Sequence, residues 1–213
     1  MNAGYLTALL FLVAFILLGT GWKPLLAPSI SGGYAYGLLG AIGVALFLPI
    51  WLTPFGAFAD IRLHVSVCLL LAITLYSWVA EQSGNRGYVL ICALLIGIVW
   101  GCARSLYAQE SMFYWLNPDF DAPLLAGLLC GAFVSDLKQQ MILSAWGAAL
   151  GKGVQVFFRD DHFQLSFGTM YDWDGIALAM VAACSLTVTL KILRQLKSKL
   201  EAAWFQLKGG KQP

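Results

Sequence analysis

Charge is what this sequence has least of. Only 11% of its 213 residues are Asp, Glu, Lys or Arg, against about 25% in an ordinary soluble domain. Thirteen basic and 11 acidic side chains cannot cover the surface of a soluble fold of this length. A net charge of +2, with no clustered basic face in a soluble region, excludes a nucleic-acid binder. Histidine occurs twice, and the five cysteines (Cys68, Cys92, Cys102, Cys130 and Cys184) fall inside apolar segments without metal or redox spacing. They read as small buried hydrophobes. The sequence shows no HExxH motif, no nucleophile beside a base and no pair of intramembrane carboxylates that would point to catalysis. The run Gly147 to Gly153 is superficially P-loop-like, but its spacing is one residue short and no Ser or Thr follows Lys152. No enzyme motif and no cofactor or metal site follows from the residues.

What is present is apolar. Sixty percent of the residues are hydrophobic and the mean hydropathy is +0.76, so the chain takes lipid as its solvent. Crossing a hydrocarbon core of roughly 30 Å takes about 20 apolar residues in a helix, because backbone amides in lipid must be satisfied within the segment. The expected fold class is all-α, a polytopic bundle with segments at Gly4–Trp22, Gly33–Thr53, Leu63–Ala80, Tyr88–Leu106, Ala122–Val134, Met141–Phe158 and Gly175–Leu193. Ala122–Val134 is the shortest. If it does not cross, six spans remain. The first segment has no basic n-region and its lysine follows the run, so it reads as an uncleaved anchor rather than a signal peptide.

Orientation follows from Lys and Arg in short loops, which stay on the cytoplasmic side. The tail carries Lys191, Arg194, Lys197, Lys199, Lys208 and Lys211, which places the C-terminus inside and, with seven spans, the N-terminus outside. Lys23, Arg86 and Lys138 then join the inner set, against Arg62, Arg104 and Arg159 outside. Most tryptophans lie at segment ends, as interfacial belts do. The chain divides into a bundle over residues 1–193 and a cytoplasmic basic tail over 194–213.

Four segments carry a Gly-x-x-x-Gly pair: Gly33/Gly37, Gly97/Gly101, Gly127/Gly131 and Gly147/Gly151. Such faces let helix backbones approach closely in lipid, within one chain or between copies. Lys152 is a cation in an apolar helix, a polar site for which a partner is to be sought. It lies about 9 Å in from the end of its segment, within reach of snorkelling, so it serves either a structural ion pair or a transport path. Arg104 has the same two readings. The outer loops gather Glu110, Asp119, Asp121, Asp160, Asp161, His162, Asp172 and Asp174. Oxygen-rich groups suit hard divalent cations, but the spacing fits no known loop, and solvated loop charge is the simpler account. Leu193, Leu196, Leu200, Trp204 and Leu207 share a face amid basic residues. That pattern describes a helix on anionic lipid or a docking helix for a soluble partner.

In Trp115-Leu-Asn-Pro118, Asp136-Leu-Lys138 and Phe167-Gly-Thr-Met-Tyr-Asp-Trp-Asp174, together with its succession of apolar segments, the chain resembles the YphA-like integral membrane proteins of Bacillus-type Gram-positive bacteria. The resemblance implies a bacterial plasma membrane and carries over no catalytic residue. The leading functional reading is a structural or accessory membrane protein that packs through glycine faces with itself or another protein. The alternative is a small transporter or channel using Lys152 and the outer acidic loops.

Overall fold

The computed structural model describes residues 2–21, 32–54, 60–80, 86–109, 117–158 and 164–209. Seven helices occur among them: α1 (Tyr5–Gly19), α2 (Gly32–Phe47), α3 (Val65–Val79), α4 (Arg86–Gln109), α5 (Pro118–Phe133), α6 (Leu137–Phe157) and α7 (Met170–Gly209). Three short strands accompany them, β1 (Trp51–Leu52), β2 (Asp60–His64) and β3 (Gln164–Phe167). By length and composition, two helices of the described residues could cross a membrane, within Arg86–Ala108 and Met170–Glu201. Tyr5–Gly19, Tyr36–Phe47 and Val65–Val79 are shorter apolar helices.

The sheet was not expected. β1 pairs antiparallel with β2 through Trp51↔His64, and β2 pairs parallel with β3 from Asp60↔Gln164 to Leu63↔Phe167. These strands gather the end of α2, the start of α3, the end of α6 and the start of α7 at one end of the bundle, here the sheet end. At the far end, the Arg86 guanidinium donates to Val79 O at 2.6 Å and the Tyr88 hydroxyl to Phe133 O at 3.2 Å. There α3 finishes beside the start of α4, and α4 begins beside the end of α5.

α5 therefore connects the two ends. Near its start, Pro123 lies against Gly175 of α7; its last residue meets Tyr88. It begins four residues before the expected Ala122, because Asn117 accepts from Asp119 N–H at 3.0 Å as an N-cap and Pro118 occupies the first turn. Asp119 and Asp121 are first-turn acids of a helix, where its N-terminal partial charge favours them. Sixteen residues give α5 a length of about 24 Å.

The same correction applies to α7, which starts at Met170 rather than Gly175. Thr169 and Asp172 form a reciprocal cap: Asp172 N–H donates to Thr169 Oγ1 at 3.3 Å, and Thr169 N–H donates to Asp172 Oδ2 at 3.1 Å. Gly168 precedes it at φ 103, a conformation few other residues adopt, and a Cβ there would lie 2.5 Å from that of His64. Bare backbone is thus required where β3 turns into α7 over the start of α3.

Glycine pairs close the bundle. A Cβ built on Gly101 would lie 2.6 Å from the carbonyl oxygen of Gly151, and one on Gly151 would lie 3.2 Å from that of Gly97. The pairs of α4 and α6 thus interlock. Gly127 and Gly131 of α5 lie against the backbone of Ala179 and Ala183 on α7, with built Cβ atoms 2.3 and 2.8 Å from their carbonyl oxygens. Ile96, Trp100, Ile142 and Leu143 fill the core between these contacts. In lipid, where apolar burial gives helices no drive toward one another, such close van der Waals contact is the main source of cohesion.

Candidate functional site

The strongest polar constellation lies at the sheet end and centres on Asp172. Its side chain is 2% exposed and sits in the first turn of α7, held there by the capping box. Oδ1 accepts from Lys152 Nζ of α6 at 3.0 Å and lies 3.6 Å from Arg104 Nη1 of α4. Oδ2 accepts from Gly168 N–H, Thr169 N–H and the Thr169 hydroxyl at 3.1, 3.1 and 2.8 Å. One carboxylate therefore ties together α4, α6 and the β3–α7 turn. Both oxygens are engaged, as a buried charge requires.

Asp174 performs a different task two residues on. Its Oδ2 accepts from Gly4 N–H at 2.7 Å, and its Oδ1 accepts from the Thr7 amide and hydroxyl at 2.7 and 2.6 Å. α1 has only Gly4 at its N-cap and no side-chain cap of its own. Asp174 supplies that cap from α7, placing a negative charge at the positive end of α1. Replacing Asp174 with Ala is expected to cost about 1–2 kcal/mol, the upper range for a lost cap. Amide exchange should then accelerate at Gly4 to Thr7 before anywhere in α4 or α6; uniform acceleration would count against the assignment.

Among the polar residues singled out in the sequence, Arg104, Lys152 and Asp172 come together, and Asp174 lies beside them with its own partners. Asp172 in the first turn of α7 and Asp174 just beyond it are buried, not solvated loop charges. Asp119 is exposed and Asp121 buried at the start of α5. Glu110, Asp160, Asp161 and His162 lie outside the described residues. Among those described, no group of three or more His, Cys, Asp or Glu side chains is placed to hold a metal ion.

Several polar contacts escaped the sequence. The Ser66 hydroxyl lies 2.7 Å from His64 Nδ1, Ser66 N–H donates to the same nitrogen at 3.4 Å, and the Trp173 indole N–H donates to Ser66 Oγ at 3.0 Å. A serine beside a histidine has the composition of a nucleophile and its base. Ser66 is 0% exposed, however, and His64 is the N-cap of α3, so the pair terminates a helix rather than meeting a substrate. Its only sequence signal was His-x-Ser preceding an apolar run. Toward the far end, the Gln140 amide donates to Val134 O at 2.8 Å and to Thr187 Oγ1 at 2.6 Å, joining the end of α5 to α6 and α7.

This arrangement of internally satisfied polar clasps and glycine seams belongs to a chain whose residues 41–212 match the family model described as YphA-like integral membrane protein. The chain is a member of that family. The match establishes a helical membrane protein and covers every helix from α3 to α7, including the Arg104–Lys152–Asp172 cluster. No curated protein and no solved structure matches the chain. Within the family match, the polar residues at the sheet end join α4, α6 and α7.

Proposed function

We propose that this family member is a structural or accessory protein of a bacterial plasma membrane that crosses it seven times and pairs with a second copy of itself through α2. The observation that carries the reading is an asymmetry among the glycine pairs. Three of the four meet other helices of the same chain, whereas built Cβ atoms on Gly33 and Gly37, and on Gly40 and Gly43 beyond them, would meet nothing within 4 Å among the described residues. Val44 and Phe47 continue that face and are 65% and 89% exposed. α2 contains no charged residue, so two copies can bring the same surface together without repulsion, as a two-fold interface demands.

Seven spans are supported by the alternation of helix ends: α1 and α7 begin at the sheet end, and α5 reaches both ends. With the basic tail inside by the charge rule, the sheet end faces outward. The saturation of both Asp172 oxygens favours a structural role for Lys152 and Arg104 over a transport path.

Gly33→Leu combined with Gly37→Leu tests the interface. Single-molecule photobleaching of the labelled full chain in dilute lipid vesicles should shift from two-step to one-step traces. The thermal midpoint should move little, because exposed substitutions usually stay within about 0.5 kcal/mol. An unchanged two-step population in the variant, or a monomeric wild type, defeats the proposal. Capture of a different membrane protein through the same face would replace the second copy with that partner.

A further inference from the structure

α7 runs far beyond the helices it packs on. Thr187 still bonds to α6, but every residue from Leu190 to Leu200 is exposed, and the helix continues unbroken to Gly209. The segment after Lys191 extends roughly 27 Å at 1.5 Å per residue. Leu193, Leu196, Leu200 and Trp204 line one side of it and are 55%, 52%, 69% and 65% exposed. Water does not suit that stripe. From Lys191 to Pro213, six basic residues face a single acid, Glu201, which lies 3.8 Å from Lys197.

We infer that the Leu193–Gly209 arm docks on anionic lipid headgroups at the far end of the bundle, with its leucine and tryptophan stripe in the acyl boundary and its lysines among the phosphates. This inference is independent of pairing through α2. Charge decides the occupant. A second arm would bring a net +3 against another +3, whereas an anionic leaflet attracts each lysine and arginine as it takes in the apolar side. Trp204 adds an amphipathic ring of the kind that settles at the headgroup level. No Gly or Pro occurs between Ile176 and Lys208. Docking therefore opens about one turn of exposed backbone after Lys191, offset by removal of four large apolar side chains from water.

The test uses the full chain with an environment-sensitive fluorescent amino acid in place of Trp204, in nanodiscs of phosphatidylcholine alone or mixed equally with phosphatidylglycerol. In the anionic discs the probe should emit as in an apolar medium and be quenched by lipids brominated on their acyl chains. Lys197→Glu with Lys199→Glu should lower the docked-to-free ratio by at least about thirtyfold, at about fivefold for each basic residue lost before the repulsion of the two added carboxylates. Water-like emission in anionic discs overturns the inference. So does apolar emission that bromolipids leave unquenched, which places the arm on a second copy. Equal quenching in both lipids, unmoved by charge reversal, overturns the electrostatic basis.

Discussion

Asp172→Ala is expected to destabilise the bundle by about 3–5 kcal/mol, the range for removing one partner of a buried ion pair. The carboxylate is 2% exposed, and its loss removes the counter-charge that Lys152 and Arg104 share, in a site where their side chains are 20% and 17% exposed. It also removes the acceptor for Gly168 N–H and Thr169 N–H. Because Lys152 lies within snorkelling distance of the helix end, the lower part of that range applies if it turns toward the headgroups. Thermal unfolding in detergent measures the loss, and Lys152→Met added to Asp172→Ala should recover part of it by removing an unpaired cation. A single variant within about 1 kcal/mol of wild type would show that the cluster is not a structural clasp.

The second large effect is Gly127→Leu. A Cβ at this position would lie 2.3 Å from Ala179 O and 2.8 Å from Ala179 Cα, so the obstacle is backbone and no rotamer relieves it. Overpacking usually costs about 1–3 kcal/mol, occasionally more, and here two helices must separate along their whole seam. The expected result is a cost at or above the top of that range, with loss of any engineered α5–α7 cross-link. Leucine at Gly37, where a built Cβ meets nothing within 4 Å among the described residues, provides the contrast. Equal stability of the two variants would contradict the packing described for α5 and α7.

The apolar segments were legible because lipid imposes a length and a composition on any helix that crosses it. Their polar ends were harder to read. Asn117-Pro118 and Thr169-x-x-Asp172 are helix-start signals, yet acidic residues beside an apolar run also describe a loop, and the loop reading cut α5 and α7 short. The strands were hidden for a related reason. In β2, buried or half-buried Ile61, Leu63 and His64 surround exposed Arg62, but five residues adjoining an apolar helix merge into that helix when read for hydropathy. Among the charges, Lys152 was recognised as needing a partner. Asp172 could not be chosen from sequence, because the two are 20 residues apart and meet only when α6 and α7 pack.

Composition alone determined that this chain lives in lipid, since so few charges leave no soluble alternative, and apolar runs near 20 residues made it helical, because they are too long and too uniform for the alternating strands of a barrel. Spacing alone marked four glycine faces for close approach. Which face meets which was decided by the tertiary structure: Gly97/Gly101 against Gly147/Gly151, Gly127/Gly131 against Ala179/Ala183, and Gly33/Gly37 open among the described residues. The reason is geometric. A small-residue pair permits two backbones to touch, but it carries no address, and the partner is set only when every helix has been placed against its neighbours.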